Sequence, residues 1–362
     1  MNECQDLKLD QLGKYLEQRA YADKIPLKGT FELTARCNFN CNMCYVHLNE
    51  QQIKSIGREL TNEEWLEIAR QAKDAGMLYL TLTGGEVFAR PGFRELYEQL
   101  SEMGFLIQIL SNGYLIDEGV MEWLGEIQPY TLRFTLYGAS NDTYARVCGV
   151  KDGFDRVSHA IDLVKQAGIP FYMVSTLVKE NINDLQAMQE FANEKKVELT
   201  VTSSVVKPVR GATQDAVSHR LDMFIGHEDA LKQMISEGRD RLYPYIDHPL
   251  DVCGSYRKSF WITWNGNLQL CSFMSEPAIS LTDGIGFNEA WKILLDQLEQ
   301  MRKPEECKNC QYEGFCARCP GVLAAECGGC SKTNPDFCAN AKRVYEEYLK
   351  LKEDTYNEKS IC

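Results

Sequence analysis

The sequence has no apolar run approaching the ~18 residues that a membrane-spanning helix requires. Its opening residues, MNECQDLKLD, lack the basic and then apolar stretches of a signal peptide. Both absences lead to the expectation of a cytoplasmic protein. Positive charge is also short: 39 Lys and Arg stand against 52 Asp and Glu, for a net charge of −13. A broad nucleic-acid face needs clustered cations, so neither nucleic acid nor membrane is an expected partner. The acidity serves solubility.

Cysteine is what the chain has in excess, with fifteen in 362 residues. A reducing compartment argues against structural disulfides and leaves metal or redox chemistry as the reading. Ten of the fifteen fall into spacing patterns; Cys4, Cys148, Cys327, Cys330 and Cys362 lie outside them. At 44% hydrophobic residues and this length, the chain can build a large core and two domains.

Strand and helix patterns alternate through the first two thirds. A helical lead-in over 1–28 precedes a short strand, TFELTA (30–35). TNEEWLEIARQAKDAG (61–76) opens on a capping-box pattern, Thr61 with Glu64. MLYLTLTGGE runs into a Gly-rich turn, and PGFRELYEQLSEMG (91–104) has Pro at its first turn and Gly at its end. Strands follow at 105–113, 131–138, 170–178 and 197–206, with helices at 116–127, 153–168 and 183–196 between them. Six strand–helix repeats predict a parallel sheet, open or curled into a partial barrel, with its site at the C-terminal strand ends.

After residue 207 the composition changes. KPVRGATQDAVSHR reads as loop, and 222–246 as one or two helical segments. SFWITWNGNLQLC (259–271) is a hairpin turning at Asn265-Gly266. Residues 307–338 are rich in Cys and Gly and poor in aliphatic residues. We read 250–341 as a small domain that needs metal to fold, followed by a last helix near 339–356.

The cysteines carry the chemistry. Cys37, Cys41 and Cys44 crowd into CNFNCNMCY after the first strand. Three thiolates suit zinc or an iron–sulfur cluster. A structural zinc site needs a fourth ligand, for which His47 is the local candidate. In a four-iron cluster, one iron would instead stay open to a small-molecule chelate. On the same rim lies Gly84-Gly85-Glu86, two glycines that permit close approach and a carboxylate suited to an ammonium.

Together, C-x3-C-x2-C with Tyr45 after the third Cys, then G-G-E, on a six-fold βα pattern, resemble the radical SAM superfamily over about 28–206. The resemblance implies an α/β fold, a partial (β/α)6 TIM barrel. It implies that the open iron of a [4Fe-4S] cluster chelates the amino and carboxylate groups of S-adenosyl-L-methionine, which is cleaved reductively to a 5′-deoxyadenosyl radical. By the same resemblance, Gly84, Gly85 and Glu86 hold the methionine amine, and Thr135 and Arg146 contact the cofactor and its carboxylate. Ser111 and Asn112 face the ribose, and Val178 lies against adenine.

The later cysteines read Cys253, twelve residues, Gly266, four residues, Cys271; then Cys307-x2-Cys310-x5-Cys316-x2-Cys319, and Cys338. This resembles the SPASM extension, which carries auxiliary iron–sulfur clusters. The usual pattern has three residues before its sixth Cys, where this chain has two, Ala317 and Arg318. The implied ligands are Cys307, Cys310, Cys316 and Cys338 for a distal cluster and Cys253, Cys271 and Cys319 for a proximal one. Cys327, Cys330 or a substrate atom would complete the latter. Three [4Fe-4S] clusters are expected in all, and the domains read 1–28, 29–206, 207–249, 250–341 and 342–362.

SPASM proteins mostly modify peptides or proteins. TLYGAS and CARCPG resemble the branch that matures ribosomal peptides through thioether or carbon–carbon crosslinks. The sulfatase-maturating branch places an Asp base after the Cys of the G-x4-C segment, where this chain has Ser272. Two further readings are small-molecule oxidation and a non-catalytic electron carrier, and the intact G-G-E opposes the latter. Too few residues precede Cys37 for an N-terminal peptide-recognition domain. A separate leader-peptide-binding protein, or direct grip of the peptide, is therefore expected, with an external donor of flavodoxin or ferredoxin type. The sequence does not name the general base.

Overall fold

The structure, a computed structural model, describes residues 9–222, 228–316 and 319–359. Cys4, Cys362, the first part of the lead-in, part of the 222–246 segment, the end of the tail, and Ala317 with Arg318 lie outside the described residues.

The elements run in the order α1 (Leu9–Asp23), β1 (Lys28–Glu32), α2 (Glu50–Ile56), α3 (Asn62–Asp74) and β2 (Tyr79–Thr83). Then come α4 (Phe93–Glu102), β3 (Leu106–Ser111), α5 (Glu118–Leu124), β4 (Thr131–Thr135), α6 (Asn141–Cys148) and α7 (Gly153–Gln166). They continue with β5 (Phe171–Thr176), α8 (Leu185–Lys195), β6 (Leu199–Thr202), α9 (Glu228–Ser236) and β7 (Ser259–Ile262). β8 (Asn267–Gln269), β9 (Ile279–Ser280), α10 (Phe287–Glu299), α11 (Pro320–Cys327) and α12 (Pro335–Lys359) complete the chain.

The nine strands of the described residues form one sheet, ordered β6-β5-β4-β3-β2-β1-β7-β8-β9. β1 to β6 are parallel neighbours in chain order, joined through helices, which is a partial (β/α)6 barrel. β6 and β9 stand at its two ends, so the sheet stays open.

Strand alternation sorts side chains onto two faces. Phe31, Leu82 and Ile109 sit opposite one another in register and are fully buried. They face the helices: Phe31 stacks on Trp65 of α3, ring centroids 4.9 Å apart. The other face carries Thr30, Glu32, Thr81, Gln108, Arg133 and Tyr172, an unusually polar set. Gln108 Nε2 donates to the Tyr172 hydroxyl at 3.1 Å.

The α3 capping box forms as expected: Thr61 Oγ1 accepts from the Glu64 N–H, and Glu64 accepts from the Thr61 N–H at 2.8 Å. The hairpin adds a feature that local patterns do not contain. β7 pairs parallel with β1, Lys28 opposite Ser259 and Phe31 opposite Ile262, and β8 returns antiparallel. Cys253 therefore precedes the N-terminal end of β7, and Cys271 follows β8 back to that same end. Cys37 follows the opposite, C-terminal end of β1. Glu17 of α1 clasps this junction by accepting from Lys28 Nζ and Lys258 Nζ, which hold its carboxyl down at about 2. Among the described residues, no helix is long and apolar enough to cross a membrane.

Candidate functional site

The ladder between β1 and β2 continues past both strands. The Gly85 N–H donates to the Thr34 carbonyl at 2.8 Å and the Glu86 N–H to the Arg36 carbonyl at 2.9 Å. A Cβ on Gly84 would lie 2.6 Å from the Thr34 oxygen, and one on Gly85 would overlap the Arg36 carbonyl. In this structure the two glycines thus let their turn press against the backbone leading into Cys37.

Glu86 is buried at 1% exposure. Oε1 accepts from the Phe88 N–H at 3.1 Å and the Ser111 hydroxyl at 2.9 Å, and Oε2 from the Asn112 N–H at 2.7 Å. Burial raises its pKa to about 7 against those three donors. The Asn112 amide donates to Asn38 Oδ1 at 2.8 Å and lies 3.9 Å from Cys37 Sγ. Glu86, Ser111, Asn112 and Cys37, read separately from the sequence, form one connected group.

The three clustered thiols are largely out of solvent. Burial pushes Cys37 well up, and burial with the Cys41 thiol nearby pushes Cys44 to about 12. Cys41 is raised by its hydrogen-bonded neighbour Cys148 and then by burial. Opposing this, backbone N–H groups point at the sulfurs. Phe39 N–H donates to Cys37 Sγ at 3.4 Å, and the N–H groups of Val46 and His47 donate to Cys44. Buried thiols that are raised in pKa yet already hold amide donors suit thiolates balanced by a cationic centre. Among the described residues, no three His, Cys, Asp or Glu converge closely enough to chelate a single metal ion.

Tyr45 ties this loop to the later cysteines. Its hydroxyl is hydrogen bonded to Ser272, and its ring meets Phe273 edge-on at 5.1 Å. Burial raises its pKa to about 12. Beside it lies a group the sequence reading missed. Glu32, 4% exposed on the inner face, accepts from Arg210 Nη2 at 2.8 Å and from the Trp261 indole at 2.9 Å. Arg210 also donates to the Ser272 carbonyl. Burial raises the Glu32 pKa while Arg210 opposes it. The available signal was a lone carboxylate at the end of a largely apolar strand pattern.

The remaining cofactor candidates are not among the hydrogen-bond partners of Glu86. Thr135 ends β4, partly exposed. Arg146 is exposed on α6, with Nη2 donating to Thr143 Oγ1 at 2.8 Å and reaching the Glu180 carbonyl at 3.5 Å. Val178 is fully buried, and its N–H donates to Asn181 Oδ1 at 2.8 Å.

The later cysteines form two groups. Cys253 accepts from the N–H groups of Ser255 and Tyr256, and Cys271 from those of Phe273 and Met274. Burial raises Cys271 to about 11, with Cys253 and Cys319 as further influences. A Cβ on Gly321 would lie 2.9 Å from Cys271 Sγ and 3.9 Å from Cys319 Sγ, so these thiols flank one small space. Cys307, Cys316 and Cys338 line a second cleft, and Cys310 influences Cys338 from nearby.

Residues 31–192 match the family described as the Radical SAM superfamily. It is 24% identical over 382 aligned positions to the antilisterial bacteriocin subtilosin biosynthesis protein AlbA of Bacillus subtilis, covering 100% of this chain and 78% of that one. It is 29% identical to the PqqA peptide cyclase of Rhizobium meliloti, covering 46% of this chain and 44% of the cyclase, so the chain spans less than half of that relative's length. Among solved structures, Streptococcus suis SuiB bound to its precursor peptide SuiA shares the fold at TM-score 0.63 and 17% identity, over 93% of this chain and 83% of SuiB.

Proposed function

We propose that this chain is a radical SAM enzyme that modifies a ribosomally made peptide by forming a thioether or carbon–carbon crosslink. The observation that carries the reading is the hydrogen-bonded connection from Glu86 through Asn112 to Cys37. It joins the two separated motifs of the family at one buried point. A peptide substrate is supported by the relatives: a bacteriocin biosynthesis protein, a peptide cyclase, and SuiB with its precursor peptide.

When bound at this site, a [4Fe-4S] cluster and S-adenosyl-L-methionine supply the reductive cleavage that generates a hydrogen-abstracting 5′-deoxyadenosyl radical. The chain's own residues hold and orient. Cys37, Cys41 and Cys44 provide three thiolates, with amide donors already aimed at two of them. Glu86 presents a carboxylate to the methionine ammonium, steadied by Ser111 and Asn112. Thr135 and Arg146 serve the cofactor's carboxylate end, and Val178 its adenine. Gln108, Arg133 and Tyr172 line the polar inner face along which a peptide would lie.

In the C-terminal region, Cys253, Cys271 and Cys319 would hold a proximal auxiliary cluster, and the cysteines of the Cys307 cleft a distal one. The domain divisions drawn from the sequence, an external flavodoxin- or ferredoxin-type donor, a separate leader-binding protein and a cytoplasmic setting belong to the same proposal. The test is anaerobic reconstitution followed by S-adenosylmethionine and dithionite. We expect 5′-deoxyadenosine from the wild-type chain. Replacing Cys37, Cys41 and Cys44 with Ala should abolish it and remove about four irons per chain. Unchanged cleavage in that variant would overturn the reading.

A further inference from the structure

One cation on the inner face of the barrel has no counterpart. β4 turns Leu132 and Phe134 to the helices, both fully buried, and leaves Thr131, Arg133 and Thr135 on the inner face, partly exposed. The other charges that the strands place on that face are matched. Lys28 donates to Glu17, and Glu32 accepts from Arg210 and Trp261. Among the described residues Arg133 makes no hydrogen bond or ion pair, and its Nε lies out of solvent without an acceptor.

An arginine in that state burdens the fold. A guanidinium carries five N–H donors, and a donor kept from water without an acceptor destabilises about as much as a lost hydrogen bond. Such an unpaired group is expected where a ligand completes the pairing. The surroundings fit a carboxylate. In register, Arg133 stands between Leu110 of β3 and Tyr172 of β5. The Tyr172 hydroxyl accepts from Gln108 Nε2 at 3.1 Å, a bond that crosses β4 from one neighbouring strand to the other. That hydroxyl keeps its own proton to donate. Thr135, at the rim, lies two residues further along, or about 6–7 Å at ~3.3 Å per residue. Arg133 is therefore one layer of side chains inside the rim that carries Glu86.

We infer that Arg133 sets substrate specificity by taking a carboxylate of the peptide, either an Asp or Glu side chain or the C-terminal carboxylate, with Tyr172 as a second donor. Guanidinium and carboxylate match as a two-point hydrogen-bonded pair. This rests on reading the chain as a peptide-modifying enzyme. It narrows the substrate to a peptide that is anionic in the segment laid across the inner face. The competing occupant is the carboxylate of S-adenosylmethionine, assigned above to Thr135 and Arg146.

The test uses the reconstituted full-length chain loaded with S-adenosylmethionine. Equilibrium dialysis read by mass spectrometry compares three synthetic heptapeptide pools, with neutral residues mixed at all positions but the central one. The first has central Glu and an amidated C-terminus, the second central Gln and an amidated C-terminus, the third central Gln and a free C-terminus. Wild type should retain one of the two anionic pools about tenfold more than the neutral pool, and which one it is identifies the source of the carboxylate. Arg133→Gln should retain all three alike, with S-adenosylmethionine affinity within about twofold of wild type. A tenfold fall in that affinity would place Arg133 on the cofactor and overturn the inference. Equal retention of the three pools by a wild-type chain that forms 5′-deoxyadenosine overturns it too. A wild-type chain that forms none overturns the functional reading instead. Arg133→Met checks the premise: with no partner to lose, its urea midpoint should equal or exceed that of wild type. A clearly lower midpoint would show that the fold itself uses the guanidinium, and the inference would fall.

Discussion

The Glu86 carboxylate accepts the backbone N–H of Asn112 at 2.7 Å, a bond between the turn after β2 and the end of β3. Glu86→Gln keeps the shape of the side chain but replaces one acceptor oxygen with a donor. Either the Asn112 N–H or the Phe88–Ser111 side then faces an NH₂ group. The apo chain should lose about 1–3 kcal/mol, measured by urea unfolding. S-adenosylmethionine affinity should fall roughly ten- to a hundred-fold, measured by calorimetry. Equal affinity would mean that the ammonium binds elsewhere.

The raised Glu86 pKa gives a pH signature. Its ordinary value is 4.5 and the folded value about 7, so the folded chain holds this proton more tightly than the unfolded chain. Stability from this group is therefore full below about 4.5 and is lost as pH rises to about 7. The total is at most about 3 kcal/mol. Cofactor binding has the opposite slope, because an ammonium prefers the ionised carboxylate. Affinity should rise as pH increases through 7, and that rise should vanish in Glu86→Gln.

Arg210 and Glu32 form a buried pair, with side chains 11% and 5% exposed. Arg210→Ala would leave the carboxylate with only the Trp261 indole, at a cost of about 3–5 kcal/mol. The double variant Arg210→Met with Glu32→Gln should recover much of that loss. A single variant as stable as wild type in denaturant unfolding would show that water already serves Glu32.

Gly321→Ala tests the proximal site without touching a cysteine. The added methyl would sit 2.9 Å from Cys271 Sγ. Iron analysis should show the loss of about four irons per chain, with the distal signal retained. Full iron content would place the proximal cluster away from Gly321.

Much of this arrangement was legible in the sequence, for local reasons. β1 to β6 announced themselves through alternation and Gly ends, and Thr61–Glu64 marked the start of α3. α6 was missed because its eight residues follow TLYGAS too closely for a clear helical period. The partners of Glu32 could not be read locally, since Arg210 and Trp261 lie far along the chain. The parallel pairing of β7 with β1 was hidden for the same reason, as an Asn-Gly hairpin specifies its own turn and not its outer neighbour.

That pairing works as a ruler. Lys28 to Glu32 is five residues, so the strand spans about 16 Å at ~3.3 Å per residue. The Cys37 loop stands at one end of it, and Cys253 and Cys271 stand toward the other. An extended peptide laid along the inner face between them would expose a window of about four or five of its own residues. The reach of the chemistry along a substrate would then be fixed by backbone hydrogen bonds. The lining side chains would remain free to vary with the peptide laid against them.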